Sequence, residues 1–241
     1  MEAKQLEHLQ IERLNPLEIE KALGQRSLVF IPLGAIEWHG LHLPIGLDCL
    51  TSHGICLRVA RATGGLVMPP LYYGMSASIW HHPYTILIEE EEVFLKILKT
   101  TLTRLEASGV QKTIIFTGHF ALKQLQALDM LKHEWATIGK SMELEILSIA
   151  DCPTVGMEAD HGAIFETSVL GEVHPDLVKL ENLPPKDLFP ANDVDGNSKG
   201  DHRRDRDNIL FGILGDDPRN YNKETAVAIF QHILKWLIAS V

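Results

Sequence analysis

The chain alternates short, unbroken apolar runs with longer segments in which apolar residues return every three or four positions. "SLVFIPLG" (Ser27 to Gly34), "GLVMPPL" (Gly65 to Leu71), "KTIIFTG" (Lys112 to Gly118) and "LEILSIA" (Leu144 to Ala150) are bounded by turn-forming residues and read as buried strands. One stripe, Phe94, Ile97, Leu98, Thr101, Leu102 and Leu105, follows an acidic start at Glu89 to Glu92 and stops before Gly109. Acidic residues first and a glycine last suit the two ends of a helix. Leu122, Leu125, Leu128, Leu131, Trp135 and Ile138 form a second stripe, and Ile229, Phe230, Ile233, Leu234 and Leu237 a third. Strands alternating with helices predict an α/β domain on a largely parallel sheet. The stretch from Glu181 to Asn208, rich in Pro, Asp, Asn, Gly and Arg, has no period. Only one helix-sized segment follows it, so it reads as a long surface loop within a single domain spanning residues 1–241.

Composition sharpens this in a few respects. With 241 residues, 45% of them hydrophobic and 22% charged, the chain has the make-up of a globular protein with a sizeable core. A formal net charge of -10 argues against nucleic acid or an anionic membrane as the main partner and leaves a small molecule as the expected one. Cys49, Cys56 and Cys152 are odd in number and lack a CxxC spacing, so reduced thiols in a cytoplasm are expected. The N-terminal "MEAKQLEHLQ" is too polar for a signal peptide, and no apolar run reaches membrane-spanning length. Twelve histidines is a high count, and their placement carries the chemistry.

Histidines and carboxylates gather where the predicted strands end. "GAIEWHGLHLPIGLD" (Gly34 to Asp48) carries Glu37, His39, His42 and Asp48; "KTIIFTG" leads into His119; "ADHGAIFETS" supplies Asp160, His161 and Glu166. In open α/β sheets, sites form beyond the carboxyl ends of the strands. Mixed imidazole and carboxylate ligands suit zinc, manganese or iron. Asp48 has two oxygens and could bridge two ions, and such a pair generates hydroxide near neutral pH and clamps a tetrahedral transition state. Each residue singly also has a bland reading, as a solvent-facing turn residue. His81 and His82 in "IWHHPYT" could line a pocket or be loop histidines, and Trp38 could wall the site or sit in the core. Tyr73, in the loop that runs from Tyr72 to His82, is a further candidate for substrate contact. His53, His133 and His232 fall in helical patterns, "DHRRDRD" reads as a solvated charge run, and "GDDPRNYNKE" as a helix cap.

At these residues the chain resembles the creatininase (creatinine amidohydrolase) family of metal-dependent hydrolases, from about Phe30 to Lys179 with an echo in the C-terminal helix. The Gly34 to Asp48 segment is similar to the family's first metal motif, Glu-x-His followed by Gly-x-His-x-Pro and an Asp. "HHPYTILI" resembles its His-x-Pro-Gly-Thr segment with Tyr84 for the glycine, and "TGHFALKQ" its Asn-Gly-His segment with Thr117 for the asparagine. "DHGAIFETSVLGEVHPDLVKL" matches a His-Gly/Ala-Gly-x-x-Glu-Thr-Ser pattern and the helix after it. The resemblance implies a three-layer α/β/α sandwich with a mostly parallel sheet, commonly assembled into hexamers. It implies one or two divalent ions, Glu37, Asp48 and His119 holding one, His39 and the bridging Asp48 the other. His161 matches the catalytic histidine, with Glu166 a further site member. Creatininase itself has a glutamate ligand two residues after the histidine of Asn-Gly-His, where this chain has Ala121. Glu166 is the expected replacement, pointing into the cluster from another side. The implied activity opens a cyclic amide or cleaves a related small amide or formamide. Two alternatives remain: hydrolysis of a carbohydrate-derived lactone or cyclic ketone on the same site, and a non-catalytic binding protein with a degenerate site.

Overall fold

A computed structural model of the chain describes residues 6–153, 157–192 and 199–241. Four strands, β1 (Leu28–Leu33), β2 (Leu66–Val67), β3 (Lys112–Thr117) and β4 (Glu143–Ser148), form one parallel sheet in the order β2-β1-β3-β4. The helices are α1 (Pro16–Gln25), α2 (Leu47–Thr63), α3 (Glu91–Ala107), α4 (Leu122–Thr137), α5 (Ile164–Val173) and α6 (Lys223–Ala239). Successive strand residues point to opposite faces. Leu28, Phe30, Ile114 and Phe116 meet apolar residues of α2, α5 and α6 on one side. Val29, Ile31, Leu33 and Ile115 meet those of α3 and α4 on the other. The result is the expected three-layer α/β/α sandwich. Each fully buried Leu, Ile or Phe in it contributes about 1.5–3 kcal/mol of transfer free energy.

Two predicted strands end early, for local reasons. The second keeps only Leu66 and Val67 in the ladder, because Pro69 and Pro70 have no N–H to donate. The chain returns at Leu71, whose carbonyl accepts from Gly34 N at 3.1 Å. The fourth stops at Ser148, whose hydroxyl accepts from Ala150 N at 3.2 Å while Asp151 accepts from Ser148 N at 2.7 Å, closing a 3-10 turn.

Three helices lie outside the apolar stripes. Asn15 caps α1 by accepting from Leu17 N and Glu18 N, and the Glu18 carboxylate accepts in return from Asn15 N, with Pro16 at the first helical position. The helices α2 and α5 are buried on most faces, so no polar face gives them a period. In the aperiodic 181–208 stretch, residues 193–198 lie outside the described residues. Leu183, Ala191 and Leu210 from that region and just beyond it pack with Ile213 around Ala163, next to His161 and Gly162. Among the described residues no helix is long and apolar enough to cross a membrane.

The strand order also locates the site. From β1 the chain steps outward to β2, then crosses to β3 on the other flank of β1. Between β1 and β3 the connections diverge, which is where open parallel sheets leave a crevice at their carboxyl ends. Two glycines let α2 close over it. A Cβ on Gly34 would lie 2.5 Å from Cys49 N, and one on Gly118 would lie 2.3 Å from Asp48 O. The first turn of α2 therefore rests directly on both strand ends. We expect Gly118→Ala to destabilise the protein by about 1–3 kcal/mol through this clash. By contrast, Gly24→Ala in α1, where a Cβ meets nothing within 4 Å, should stabilise it by about 0.5–1 kcal/mol. Urea unfolding of the two variants checks both signs.

Candidate metal centre

Four predicted side chains converge in that crevice. Glu37 and His39 come from the segment after β1, Asp48 from the first turn of α2, and His119 from the turn after β3. All four are buried. Asp48 lies between the two imidazoles, with Oδ1 at 3.2 Å from His39 Nε2 and Oδ2 at 2.9 Å from His119 Nδ1. Glu37 Oε2 is 3.3 Å from the same His119 nitrogen. Glu166, in the first turn of α5, enters from the other side and brings Oε2 to 3.6 Å from His39 Nε2. Two groups of potential ligand atoms result, Glu37–Asp48–His119 and His39–Asp48–Glu166, the atoms of each within 4.8 Å of one another and Asp48 common to both. A third group, Glu37–His39–His161, overlaps them.

Main-chain carbonyls fix the tautomers. A carbonyl only accepts, so the ring nitrogen facing it carries the proton. His39 Nδ1 donates to Glu37 O at 2.9 Å, and His119 Nε2 donates to Ser76 O at 2.7 Å. In each ring the other nitrogen is the one turned to the carboxylates, the arrangement of metal-ligating histidines. His161 differs. Its Nε2 donates to Trp38 O at 2.9 Å, and that same nitrogen is the one 3.6 Å from Glu37 Oε1. The His161 nitrogen facing the cluster is thus already a donor, which suits proton transfer better than ligation.

The donor set fits a cation. Buried polar atoms are normally hydrogen-bonded, yet His39 Nε2 and both oxygens of Asp48 have no hydrogen-bond partner of acceptable geometry. A divalent ion would satisfy all three. The cluster opens into a cavity of about 40 Å³, walled also by Ser78, Phe120 and Ala121.

The profile of the creatininase family, described as creatinine amidohydrolase, matches residues 12–241. The chain belongs to the creatininase family. It is a metal-dependent hydrolase of that type, and the fold and the buried ligand cluster agree with this. It is 28% identical to creatinine amidohydrolase of Pseudomonas putida over 193 residues, 68% of this chain and 74% of that protein. It is 30% identical to a mycofactocin precursor peptide peptidase of Mycobacterium ulcerans over 173 residues, 67% of this chain and 64% of the relative. A 3-dehydro-scyllo-inosose hydrolase of Thermotoga maritima is 31% identical over 105 residues, 42% of this chain and 33% of that one. Among solved structures, creatininase superposes with a TM-score of 0.75 at 23% identity, covering 96% of each chain. A mutant creatininase of Zn-Zn type and a creatininase with Mn share the fold, each at a TM-score of 0.74.

The remaining predicted residues take their places around this cluster. Ala121 lines the cavity and offers no ligand. Thr117, standing for the family's asparagine, donates its hydroxyl to His119 O at 2.6 Å and accepts from His119 N at 3.1 Å. Trp38 stacks on His82 with ring centroids 4.0 Å apart and donates Nε1 to Phe211 O, while His81 lies 5.4 Å from the Phe211 ring. These four rings form an aromatic wall joined to the site through the Trp38 carbonyl. Tyr73 is exposed and does not line the cavity. His42 turns away from the cluster to Thr167 Oγ1 at 3.0 Å, and Asp160 caps α5 by accepting from Phe165 N and Glu166 N. Sequence reasoning passed over Ser76 and Gln124, which hold His119 in place. Gln124 was legible in one respect: it keeps the register of Leu128, Leu131 and Trp135, the buried face of α4.

Electrostatics show what happens without a cation. Burial would raise the Glu37 carboxyl, but His161, His119 and His39 hold it down to about 2. Burial acts likewise on Asp48, and His39 and His119 overcome it, keeping Asp48 ionised. The imidazoles respond in the opposite sense. Burial disfavours charge on His39, yet Asp48 and Glu166 raise it to about 10, and His119 is raised well above its usual value by Asp48 and Glu37. Burial pushes Glu166 well above the carboxylate range and takes His161 down to about 4. Two protonated imidazoles thus neutralise the metal-free cluster. A group raised from 6.5 to about 10 on folding stabilises fully below 6.5 and loses that contribution as pH rises towards 10. Metal-stripped protein should therefore lose thermal stability over that interval. Zinc-loaded protein should hold it, since the ion replaces the titrating protons. Melting curves with chelator and with zinc should diverge as pH rises; parallel curves would show that the histidines do not neutralise the cluster.

Proposed function

We propose that the chain hydrolyses the carbon–nitrogen bond of a small cyclic amide, or a related small amide, at a two-ion centre of zinc or manganese. The observation that carries this is Asp48, shared by two complete three-residue groups. Glu37, Asp48 and His119 would hold one ion, and His39, Asp48 and Glu166 the other. Three protein ligands each is the usual complement of a catalytic zinc. Glu166 thereby supplies the oxygen that Ala121 lacks. Bound there, the ions supply Lewis acidity, lowering the pKa of water and polarising the substrate carbonyl.

The protein groups account for the proton. His161 turns Nε2–H to the cluster, with the Trp38 carbonyl at 2.9 Å and Glu37 Oε1 at 3.6 Å from that nitrogen. Burial keeps the ring neutral at pH 7. As the carbon–nitrogen bond breaks, His161 gives its Nε2 proton to the leaving nitrogen, and the attacking water, whose oxygen has bonded to the carbonyl carbon, gives one back to the ring. Phe120, Ala121 and Ser78 wall the small cavity beside the candidate ligands. The same reading has the chain working in the cytoplasm as a homo-oligomer, a state supported by exposed apolar side chains such as Tyr73, Trp80, Tyr84 and Ile86. A second reading, hydrolysis of a carbohydrate-derived ring, draws on the likeness to the Thermotoga maritima hydrolase and uses the same residues.

A panel of creatinine, other cyclic amides, formamides, short peptides and carbohydrate-derived lactones or cyclic ketones, tested with zinc or manganese, separates these readings. Chelation should abolish the activity found. His161→Ala should lower kcat by about 10²–10⁴-fold with metal content unchanged. Glu166→Gln should cost one of two metal equivalents. Two equivalents retained in Glu166→Gln would remove Glu166 from the ligand set, and a panel with no turnover would leave the degenerate-site alternative standing.

A further inference from the structure

We infer that Gln124 is a positioning residue for His119. Its buried amide ties the His119 turn to the Ser76 segment, whose carbonyl takes the His119 Nε2–H and leaves Nδ1 for the metal. This rests on reading the cluster as a metal centre, and adds a requirement from outside the ligand set.

Gln124 is completely buried on α4, and its amide is used at both ends. Nε2 donates to Thr117 Oγ1 at 3.1 Å and to His119 O at 3.2 Å, while Oε1 accepts from Met75 N at 2.9 Å. The second bond holds the His119 main chain directly, and the first acts through the Thr117 hydroxyl, which itself bonds His119 N and O. The third holds the residue before Ser76, the acceptor for the His119 ring. One side chain thus grips both the backbone of a ligand and the group that sets its tautomer.

Backbone conformation in this segment adds a second line of support. Ser76 has φ +60°, and among the described residues no other non-glycine lies in the left-handed region. Such a conformation is costly for a residue with a side chain and persists only where its surroundings impose it. Here the surroundings are visible. A Cβ on Gly74 would lie 2.6 Å from Gly34 O and 2.7 Å from Gln124 Oε1, so the chain is pressed against the amide just before the strained residue. The result is a carbonyl aimed at His119 Nε2. With that carbonyl displaced, imidazole could carry its proton on Nδ1, turning an N–H towards Glu37 and Asp48. Partners that fix a ligating histidine in this way are typically worth about 10- to 100-fold in metal affinity.

The test compares wild-type protein, Gln124→Met, Gln124→Glu and Leu128→Ala, titrated with zinc against a competing chelator. Gln124→Met keeps the size and loses every hydrogen bond. Gln124→Glu keeps the shape and the acceptor for Met75 N but turns an oxygen towards His119 O, and stands in if the methionine variant does not fold. Leu128→Ala, one turn along the same buried face, controls for a general loss of packing. Both Gln124 variants should bind zinc about 10- to 100-fold more weakly, and Leu128→Ala should melt lower with its zinc affinity intact. In zinc-loaded, ¹⁵N-histidine-labelled protein, long-range proton–nitrogen spectra should show His119 bound through Nδ1 in the wild type and a mixture in the Gln124 variants. Unchanged zinc affinity and an unchanged His119 signature in the Gln124 variants would overturn the inference and leave the metal reading intact. Failure of the wild type to bind zinc or manganese would overturn the metal reading itself.

Discussion

A buried carboxylate without well-made hydrogen bonds is expensive, and neither oxygen of Asp48 makes one of acceptable geometry, although imidazole nitrogens stand at 3.2 and 2.9 Å. The chain holds it where β1 and β3 part, between two imidazoles, by setting the first turn of α2 on strand ends that only glycine leaves low enough. Removing charge from this position would be the simplest way to stabilise the crevice. The fold does the reverse and adds Glu37 and Glu166. A protein that used these residues for packing alone would gain nothing from three buried carboxylates around two histidines. A centre that exchanges protons for cations accounts for the whole set.

The three histidines around the carboxylates follow one rule and divide the work by one difference. Each gives an N–H to a main-chain carbonyl: His39 to Glu37, His119 to Ser76, His161 to Trp38. A main-chain acceptor is held by the fold, so the ring orientation is set before any ion arrives. His39 and His119 turn the remaining nitrogen to the carboxylates, whereas His161 turns its donating nitrogen to Glu37. In the proposed reading, ligand and proton carrier would be distinguished by which edge of the ring faces inwards. Trp38 matters for that reason as much as for its aromatic surface, since its carbonyl orients His161 while its indole stacks against His82.

Sequence patterning carried the layers, because the sheet is covered on both faces and its strands are therefore continuous apolar runs. It also carried the convergence of Glu37, His39, Asp48 and His119, because the carboxyl ends of adjacent parallel strands are forced together. What it could not carry depends on contacts between distant segments. The helices α2 and α5 bury most of their surface and so lack a polar face to reveal them. The shortening of β2 was legible in Pro69 and Pro70, which remove two donors from the expected strand. Leu122 and Ile138 belonged to the expected stripe of α4 and are exposed, while Gln124 is buried in their stead. An apolar stripe cannot nominate a glutamine. Its burial follows from three main-chain and side-chain partners on two separate loops, and no local pattern encodes them.

The position of Glu166 bears on how such centres diverge. The family resemblance implies a ligand carboxylate on the turn after the Asn-Gly-His segment, where this chain has Ala121. Here the carboxylate nearest His39 apart from Asp48 stands on α5, and Gly162 N donates to it at 2.6 Å. If Glu166 supplies the oxygen from α5, as proposed, the Phe120–Ala121 side of the cavity stays free of charge. That wall would then meet a substrate with an aromatic ring and a methyl group, leaving the attack on its carbonyl to the ligand side. The relatives, named for creatinine, for a precursor peptide and for an inosose, differ in their substrates. In the proposed reading, selection would fall to the neutral wall and to the aromatic stack around Trp38, which this chain builds from residues outside the candidate ligand set.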